Sequence, residues 1–592
     1  MTGIGSRILA RARAAAGAAV LIGAVAPGSA LAQNAPLHPE VRAEGTVAVT
    51  LRCAAGARDT ETVAFGVPFP RGWLTGPERV RVETAQGEEV AADASPLARW
   101  MHPSKPELDG RSLRAVLLVF RHACSTAREA TYRVRWGTGR SRAANLGIEP
   151  SNVATLWGPQ AAPLPGEHPA TDNYAVDKRA PPVTEPRVWA SLPADWLMRA
   201  GIRAPMAPFA NPATIEFMLG YAKTYVNDVA SDVRAFEQDD GKGLIDWNVE
   251  VEGWLYDRPF NLWSVYFATG DAKWLRHAHR ASQYYSSWIA RNDANRPYKR
   301  GGFLKKQPTW DDDPGDVKYS HNGGLFAAYL LTGDGRLLDP IHAIGDFVHT
   351  YFPTRLPPWS RTRGIWTERH LATTLAGMLY AYEATGEAKY RDRLLAAIEG
   401  MKKDVREPPS GYPSAAQMRG VLFHRSEVHE GGSTPDLYMA PWMAALLGEV
   451  LWRYHLISDD RRALELIADH ASFVAERGLY MKPEDPHLGR YLAPWYGVGM
   501  KQGYTDNGIY DDVEHAVDVL GLLARGAWAT RALGGSSASI DDKIPRLRET
   551  AMMSFDGWRR GGGGMPRYRL SPTRKFGWWF GSTYDMGWFG AL

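Results

Sequence analysis

The chain has 592 residues, with 69 Lys and Arg against 65 Asp and Glu and a formal net charge of +4. Three of those arginines, and no acid, fall in the leader described next, so the remainder is nearly neutral at +1. Overall charge therefore excludes itself as an argument for a nucleic acid or other polyanionic partner. The 45% hydrophobic content supplies sizeable cores, and the length exceeds one small domain.

Residues 1–32 read as a signal peptide. Arg7, Arg11 and Arg13 precede the small apolar run AAAGAAVLIGAVA, which leads to Ala30-Leu31-Ala32, an A-x-A cleavage signature. The run is shorter than the ~20 residues needed to span a bilayer. Cleavage after Ala32 and a periplasmic or secreted location are expected.

Residues 40–140 carry short alternating pieces, TVAVTLRC, ETVAFGVPFP, RVRVETAQGEEV, RAVLLVFRHAC and ATYRVRWG, separated by Gly, Pro and Asp or Ser turns. This pattern predicts a compact N-terminal β domain. The two cysteines, Cys53 and Cys124, both fall in it, and an oxidising compartment makes a disulfide the expectation. Residues 141–195, with APLPGEHPA and RAPPVTEPR, predict a Pro-rich surface connector.

From residue 196 to 560 the pattern turns to helix-length amphipathic segments with an internal repeat. FATGDAKWLRHA, YLLTGDGRLLDP, YEATGEAKYRDRL and YHLISDDRRALEL share one layout: an apolar helix, a small polar turn, then a second helix. Thr269, Thr332, Thr385 and Ser458 mark the turns, spaced by 63, 53 and 73 residues. An earlier pair at EFMLGYAKTYVNDVASDVRAF and a later one after residue 511 bring the expected number to about six. The expected fold class is multidomain β plus α: a small N-terminal β domain followed by an (α/α)6 toroid or barrel. An open helical solenoid is the alternative. Residues 561–592 form an aromatic C-terminal extension for which the sequence supplies no role.

In each repeat the turn ends the first helix, so the residues opening that helix gather at the opposite rim. These openings read LYDRPFNLW, KYSHNGGLF, IWTERHLATT, GGSTPDLYMAPW and YDDVEHAVDV. They supply Tyr256, Asp257, Arg258, Tyr319, His321, Asn322, Glu368, Arg369, His370, Tyr438, Tyr510, Asp512 and His515. The long segment FHRSEVHEGGSTPD adds His424, Arg425, His429 and Glu430 as expected substrate-binding residues, alongside Tyr256, Asp257, Arg258, Asp512 and His515. Long segments at one face of a scaffold are where function concentrates. Asp257, Asp436 and Asp511 also fit as helix caps. The Gly pair after His321-Asn322 reads as room for a bulky ligand beside the backbone.

No metal site is predicted. His424, His429 and Glu430 match no zinc helix spacing, and WDDDPGD (310–316) lacks the oxygen-ligand spacing of a calcium loop. No cofactor is expected, and the expected partner is a polysaccharide or oligosaccharide substrate.

VAFGVPFPRGWL, VETAQGEEVAADASPLARW and SLRAVLLVF resemble the small N-terminal β-barrel domain of the exo-rhamnogalacturonan lyase family, and SHNGGLFAAYLLTGD resembles that family's helical barrel. The family usually carries a β-sandwich between these parts, where this chain has only residues 141–195, which points to a different glycan. The resemblance implies β-elimination at a uronic acid. That chemistry needs the carboxylate neutralised, a base for the C5 proton and an acid for the leaving oxygen. Asn322 with Arg369 or Arg258 suits the first task, His321 or His370 the second, and Tyr319, Tyr438 or Tyr510 the third. A glycoside hydrolase on the same scaffold is the alternative, using two carboxyl groups ~5 to 9.5 Å apart, with Glu368 and Asp512 the preferred pair. A glycan-binding protein without turnover is the third reading; crowded ionisable groups that cost desolvation argue against it.

Overall fold

A computed structural model describes residues 37–159, 174, 180–206, 254–292, 299–304, 317–351, 367–408, 411–425, 437–505, 508–560, 586, 588 and 589. The architecture is β plus α. In the N-terminal part, strands β1 (Gly45–Cys53), β2 (Thr60–Pro68), β3 (Val80–Glu83), β4 (Glu89–Val90), β5 (Ala92–Arg99), β6 (Leu113–Ala123) and β7 (Glu129–Trp136) form two antiparallel sheets. Their alternation places Val47, Val49 and Leu51 of β1 inward. β6 is buried along nearly its whole length between β2 and β5. Cys53 and Cys124 are joined in a disulfide, as the sequence predicts.

The stretch expected to be a surface connector is partly integrated. β8 (Gly158–Pro159) pairs with β9 (Thr184–Glu185), and β10 (Val188–Ser191) extends the larger sheet by pairing with β1. Glu185 is fully buried and lies 3.1 Å from Arg276 and 2.5 Å from Arg280. The short helix α1 (Ala194–Arg199) follows.

The helical part is built from hairpins. α2 (Arg258–Thr269) pairs with α3 (Ala272–Ser287), and α4 (Gly323–Thr332) leads to α5 (Leu338–Tyr351). α6 (Glu368–Thr385) pairs with α7 (Ala388–Arg406), and α8 (Pro441–Ser458) with α9 (Arg461–Arg477). α10 (Ala516–Ala532) packs against α11 (Ile544–Arg560). The first helices α2, α4, α6, α8 and α10 lie side by side in that order, and the second helices cover them from outside. The earlier pair expected at residues 216–236 lies outside the described residues.

The repeated turn has one mechanism. Thr332 Oγ1 donates to the Ala328 carbonyl and accepts from the Asp334 amide, while the Asp334 carboxylate accepts from the Arg336 amide and caps the next helix. The same hydroxyl pair of bonds recurs at Thr269, Thr385 and Ser458. The residue after each hydroxyl is left-handed: Gly270, Gly333 and Gly386 at φ 65°, 73° and 72°, and Asp459 at 55°. The first three thus carry the residue that reaches this region without steric cost.

Every one of these turns touches the N-terminal part. Gly270 abuts Leu192 and Ala194, Gly333 abuts Leu117 of β6, Gly386 abuts Met101, and Asp459 Oδ2 lies 3.1 Å from His102 Nε2. Tyr329 donates to the Leu97 carbonyl and Tyr382 to the Asp109 carboxylate. Glu383 of α6 sits buried between Arg114 of β6 at 3.2 Å and Arg453 of α8 at 2.7 Å. One continuous apolar cluster runs from the sheets into the helices. The β domain therefore caps the turn rim, and the rim bearing the helix openings faces away from it.

Candidate functional site

Two groups of side chains occupy the rim opposite the turns. The first surrounds the starts of α2 and α4. Asp257 caps α2: one carboxylate oxygen accepts from the Phe260 amide at 3.1 Å, the other from the Gly324 amide at 3.0 Å. Burial holds its pKa above the usual carboxylate range, against the pull of His321 and those two amides. The Gly323-Gly324 pair has no room for a ligand beside its backbone. A Cβ on Gly324 would meet Pro259 and Phe260, and one on Gly323 would meet Asp257 and Tyr380. The glycines serve close helix packing, which corrects the ligand reading of this pair.

His321 is half-buried, and its Nε2 lies 2.9 Å from the Leu255 carbonyl. A carbonyl only accepts, so Nε2 carries the proton and Nδ1 of the neutral ring is an acceptor. The Tyr285 hydroxyl steadies this arrangement, accepting from the His321 amide at 2.7 Å and donating to the Tyr319 carbonyl at 2.5 Å. Tyr285 escapes sequence reading because it lies in the last turn of α3, outside every rim motif. Tyr319 is buried and stacks on Phe303.

Asn322 is buried too, and its amide donates to the Gly377 carbonyl at 2.8 Å and the Ile341 carbonyl at 3.4 Å. It braces α4 against α6 and α5. Arg258 is fully buried, with its guanidinium over Trp254, and Tyr256 is half-buried with its carbonyl accepting from Asn261.

The second group surrounds the starts of α6, α8 and α10. Here segments 411–425, 437–439 and 482–505 join into a small antiparallel sheet that sequence reading does not foresee: β11 (His424–Arg425), β12 (Leu437–Met439), β15 (Gly497–Gly499) and β16 (Gly503–Tyr504). The intervening strands β13 (Leu479–Tyr480) and β14 (Ala493–Pro494) pair with each other. β11 places His424 Nδ1 3.0 Å from Glu368 Oε2, and both residues are buried. That is an ion-pair distance without hydrogen-bond alignment. The other Glu368 oxygen accepts from the Ala440 amide at 3.3 Å. Across the β11–β12 pair, the Tyr438 ring lies 4.6 Å from that of His424. Burial, with Tyr496 and Glu368 nearby, raises the Tyr438 pKa well above that of an ordinary phenol. The hydroxyl stays protonated at neutral pH.

Trp442, in the first turn of α8, organises the rest. Arg369 lies over its ring at 5.3 Å, and the His515 ring stacks on it at 5.0 Å and 16°. His515 Nδ1 is 3.4 Å from Asp518. The half-buried Tyr496 is 5.8 Å from Trp442. Trp442, Tyr496 and Asp518 were not foreseen as site residues; the His515–Asp518 spacing of one helical turn is the signal that would have found the last. His370 is turned to Thr367, with Nδ1 2.7 Å from the hydroxyl. Asp512 is fully buried and accepts from Tyr480 at 2.6 Å.

Arg425 is described only as backbone in β11, and Tyr510 only as part of a short helix over Ile509–Asp512. His429, Glu430, Asp436 and the WDDDPGD loop lie outside the described residues. Among the described residues, one group of three potential metal ligands comes together, Cys53, His122 and Cys124, and its two sulfurs are bonded to each other. No helix among them is long and apolar enough to cross a membrane. A cavity of about 340 Å³ lies at the other end of the helices, against the β domain, and includes none of these rim residues.

No family model and no curated protein matches the chain. The likeness to exo-rhamnogalacturonan lyases thus rests on the stretches quoted above. Among solved structures, the chain is similar to the crystal structure of an unsaturated glucuronyl hydrolase specific for heparin, at 12% identity and a TM-score of 0.37. That similarity covers 62% of this chain and 96% of the other, and at this level it assigns neither activity nor substrate.

Proposed function

We propose that this chain is an exported polysaccharide lyase that cleaves a uronic-acid-containing glycan by β-elimination, at the rim of an (α/α)6 barrel that bears the helix openings. The observation that carries the reading is His321. Its Nε2–H is committed to the Leu255 carbonyl, so Nδ1 is the basic atom of a half-buried ring on this rim. The carboxylates that a hydrolase would use are engaged internally: Glu368 by His424 and the Ala440 amide, Asp512 by Tyr480.

In the proposed step His321 Nδ1 takes the C5 proton. The C5–H electron pair becomes the C4=C5 double bond, the C4–O bond breaks, and the Tyr438 hydroxyl protonates the departing oxygen. Arg369, held over Trp442, neutralises the uronate carboxylate. Asn322 is left out of carboxylate binding because its amide already serves two backbone carbonyls. The reaction needs no cofactor, and the Cys53–Cys124 disulfide supports an oxidising, exported location.

The test is a panel of polyuronates followed by ultraviolet absorbance of the unsaturated uronate. Growth of that band with new chain ends is expected. New reducing ends without it would replace elimination by hydrolysis, and retained binding with no new ends would make the protein a glycan binder.

A further inference from the structure

The cavity of about 340 Å³ between the β domain and the helices carries an inference independent of the rim chemistry. Its carbon walls come from Leu37, Met198, Leu456, Ile457 and Trp588 among others. Four guanidinium groups line it, Arg71, Arg199, Arg203 and Arg453, against one carboxylate, Asp195. Arg453 is closed on Glu383 at 2.7 Å, Arg203 on Glu449 at 2.8 Å, and Arg199 lies 3.8 Å from Asp195.

Arg71 differs. It donates to the Ile457 carbonyl at 2.7 Å and lies over Trp100 at 5.1 Å, but among the described residues no carboxylate is within ion-pair distance. A guanidinium has five N–H donors in a fork that matches a carboxylate. His38, also on the wall, is held neutral at pH 7 by burial and by Arg71, with a pKa lowered to about 4. Its Nε2 is buried with no hydrogen-bond partner among the described residues, leaving an unused polar atom beside the cation.

Asp459, Glu383 and Asp109 act on Arg71 only from farther off, and Glu383 is shared between Arg453 and Arg114. The guanidinium groups here therefore outnumber the carboxylates paired with them and favour an anion. A planar carboxylate matches the guanidinium fork of Arg71 in geometry as well as in charge, which a tetrahedral phosphate does less well. We infer that this cavity binds a small monocarboxylate on a hydroxylated six-membered ring, its carboxylate forked on Arg71 and a ring hydroxyl at His38 Nε2. A hexuronate and a hydroxybenzoate share that chemistry.

Titration calorimetry on the full mature chain decides it, with D-glucuronate, 4-hydroxybenzoate, D-glucose and inorganic phosphate as probes. At least one acid should bind saturably, with glucose silent and phosphate weaker. Glucuronate binding tighter assigns a sugar acid, and hydroxybenzoate tighter assigns an aromatic one. Arg71→Gln should weaken the acid at least tenfold. Asp195→Asn, at an exposed position, should tighten it severalfold by removing the opposing charge. Silence from both acids, glucose or phosphate binding as well as they do, or an unchanged affinity in a folded Arg71→Gln variant overturns the site. Should Arg71→Gln not fold, an unchanged or weaker affinity in Asp195→Asn overturns it equally.

Discussion

His321 and Asn322 are neighbours with opposite consequences on replacement. His321→Ala removes the basic atom and one hydrogen bond to Leu255, so turnover should fall by about 10²- to 10⁴-fold while stability drops by about 1 kcal/mol. Asn322→Ala leaves the Gly377 carbonyl, deep among the helices, without its donor, and should cost about 1–3 kcal/mol. Rates and melting curves on both variants separate the roles, and a His321→Ala enzyme with full activity would remove the base. His38 carries a pH effect of definite sign. Burial, with Arg71 beside it, lowers its pKa from 6.5 to about 4, so the folded state resists the proton that the unfolded chain accepts. The stability this represents is present above pH 6.5 and is lost as pH falls towards 4, on the order of 3 kcal/mol at most. Urea midpoints of wild type and His38→Gln between pH 7 and 4 should converge or cross on the acid side. Parallel curves would exclude the effect.

Among the elements, the hydroxyl turn is the unit on which the helical part is built. Gly333 combines a φ of 73° with a Cβ position 2.6 Å from Leu117, so Gly333→Ala meets both backbone strain and the β domain. Its cost should be about 1–3 kcal/mol by urea denaturation, with kcat unchanged because the turn is remote from the rim. This device was legible from the amino acids alone, since Thr-Gly-Asp repeated after apolar helices states its own hydrogen bonds. The alternation of β1 and the pairing of the two cysteines were legible for the same local reason. The small sheet at the rim was not: its strands are two or three residues long and show no period of two. Nor was the brace at Asn322, whose partners lie 19 and 55 residues away. The Gly pair after it was misread because a gap for a ligand and a gap for Pro259 look identical in sequence.

For the molecule as a whole, the β domain and the helices share one interior. Arg114, Glu383 and Arg453 form a buried charged chain across the junction, and a lone charge left there would cost several kcal/mol. The aromatic C-terminal residues Trp588 and Phe589 pack on Trp452, and Trp588 lies 6.3 Å from Trp528 near the end of α10. Because the hairpins are fastened at their turns to the β domain, thermal opening should follow a gradient along each helix, like fingers held at the knuckles. Native-state hydrogen exchange should find the amides around Gly333 and Gly386 among the slowest, and those opening α4 and α6 faster by orders of magnitude. A flat profile would mean that the docked turns do not anchor the hairpins. With that gradient, the openings can adjust while the turns hold still, so adaptability and retention of the fold are assigned to opposite ends of the same helices.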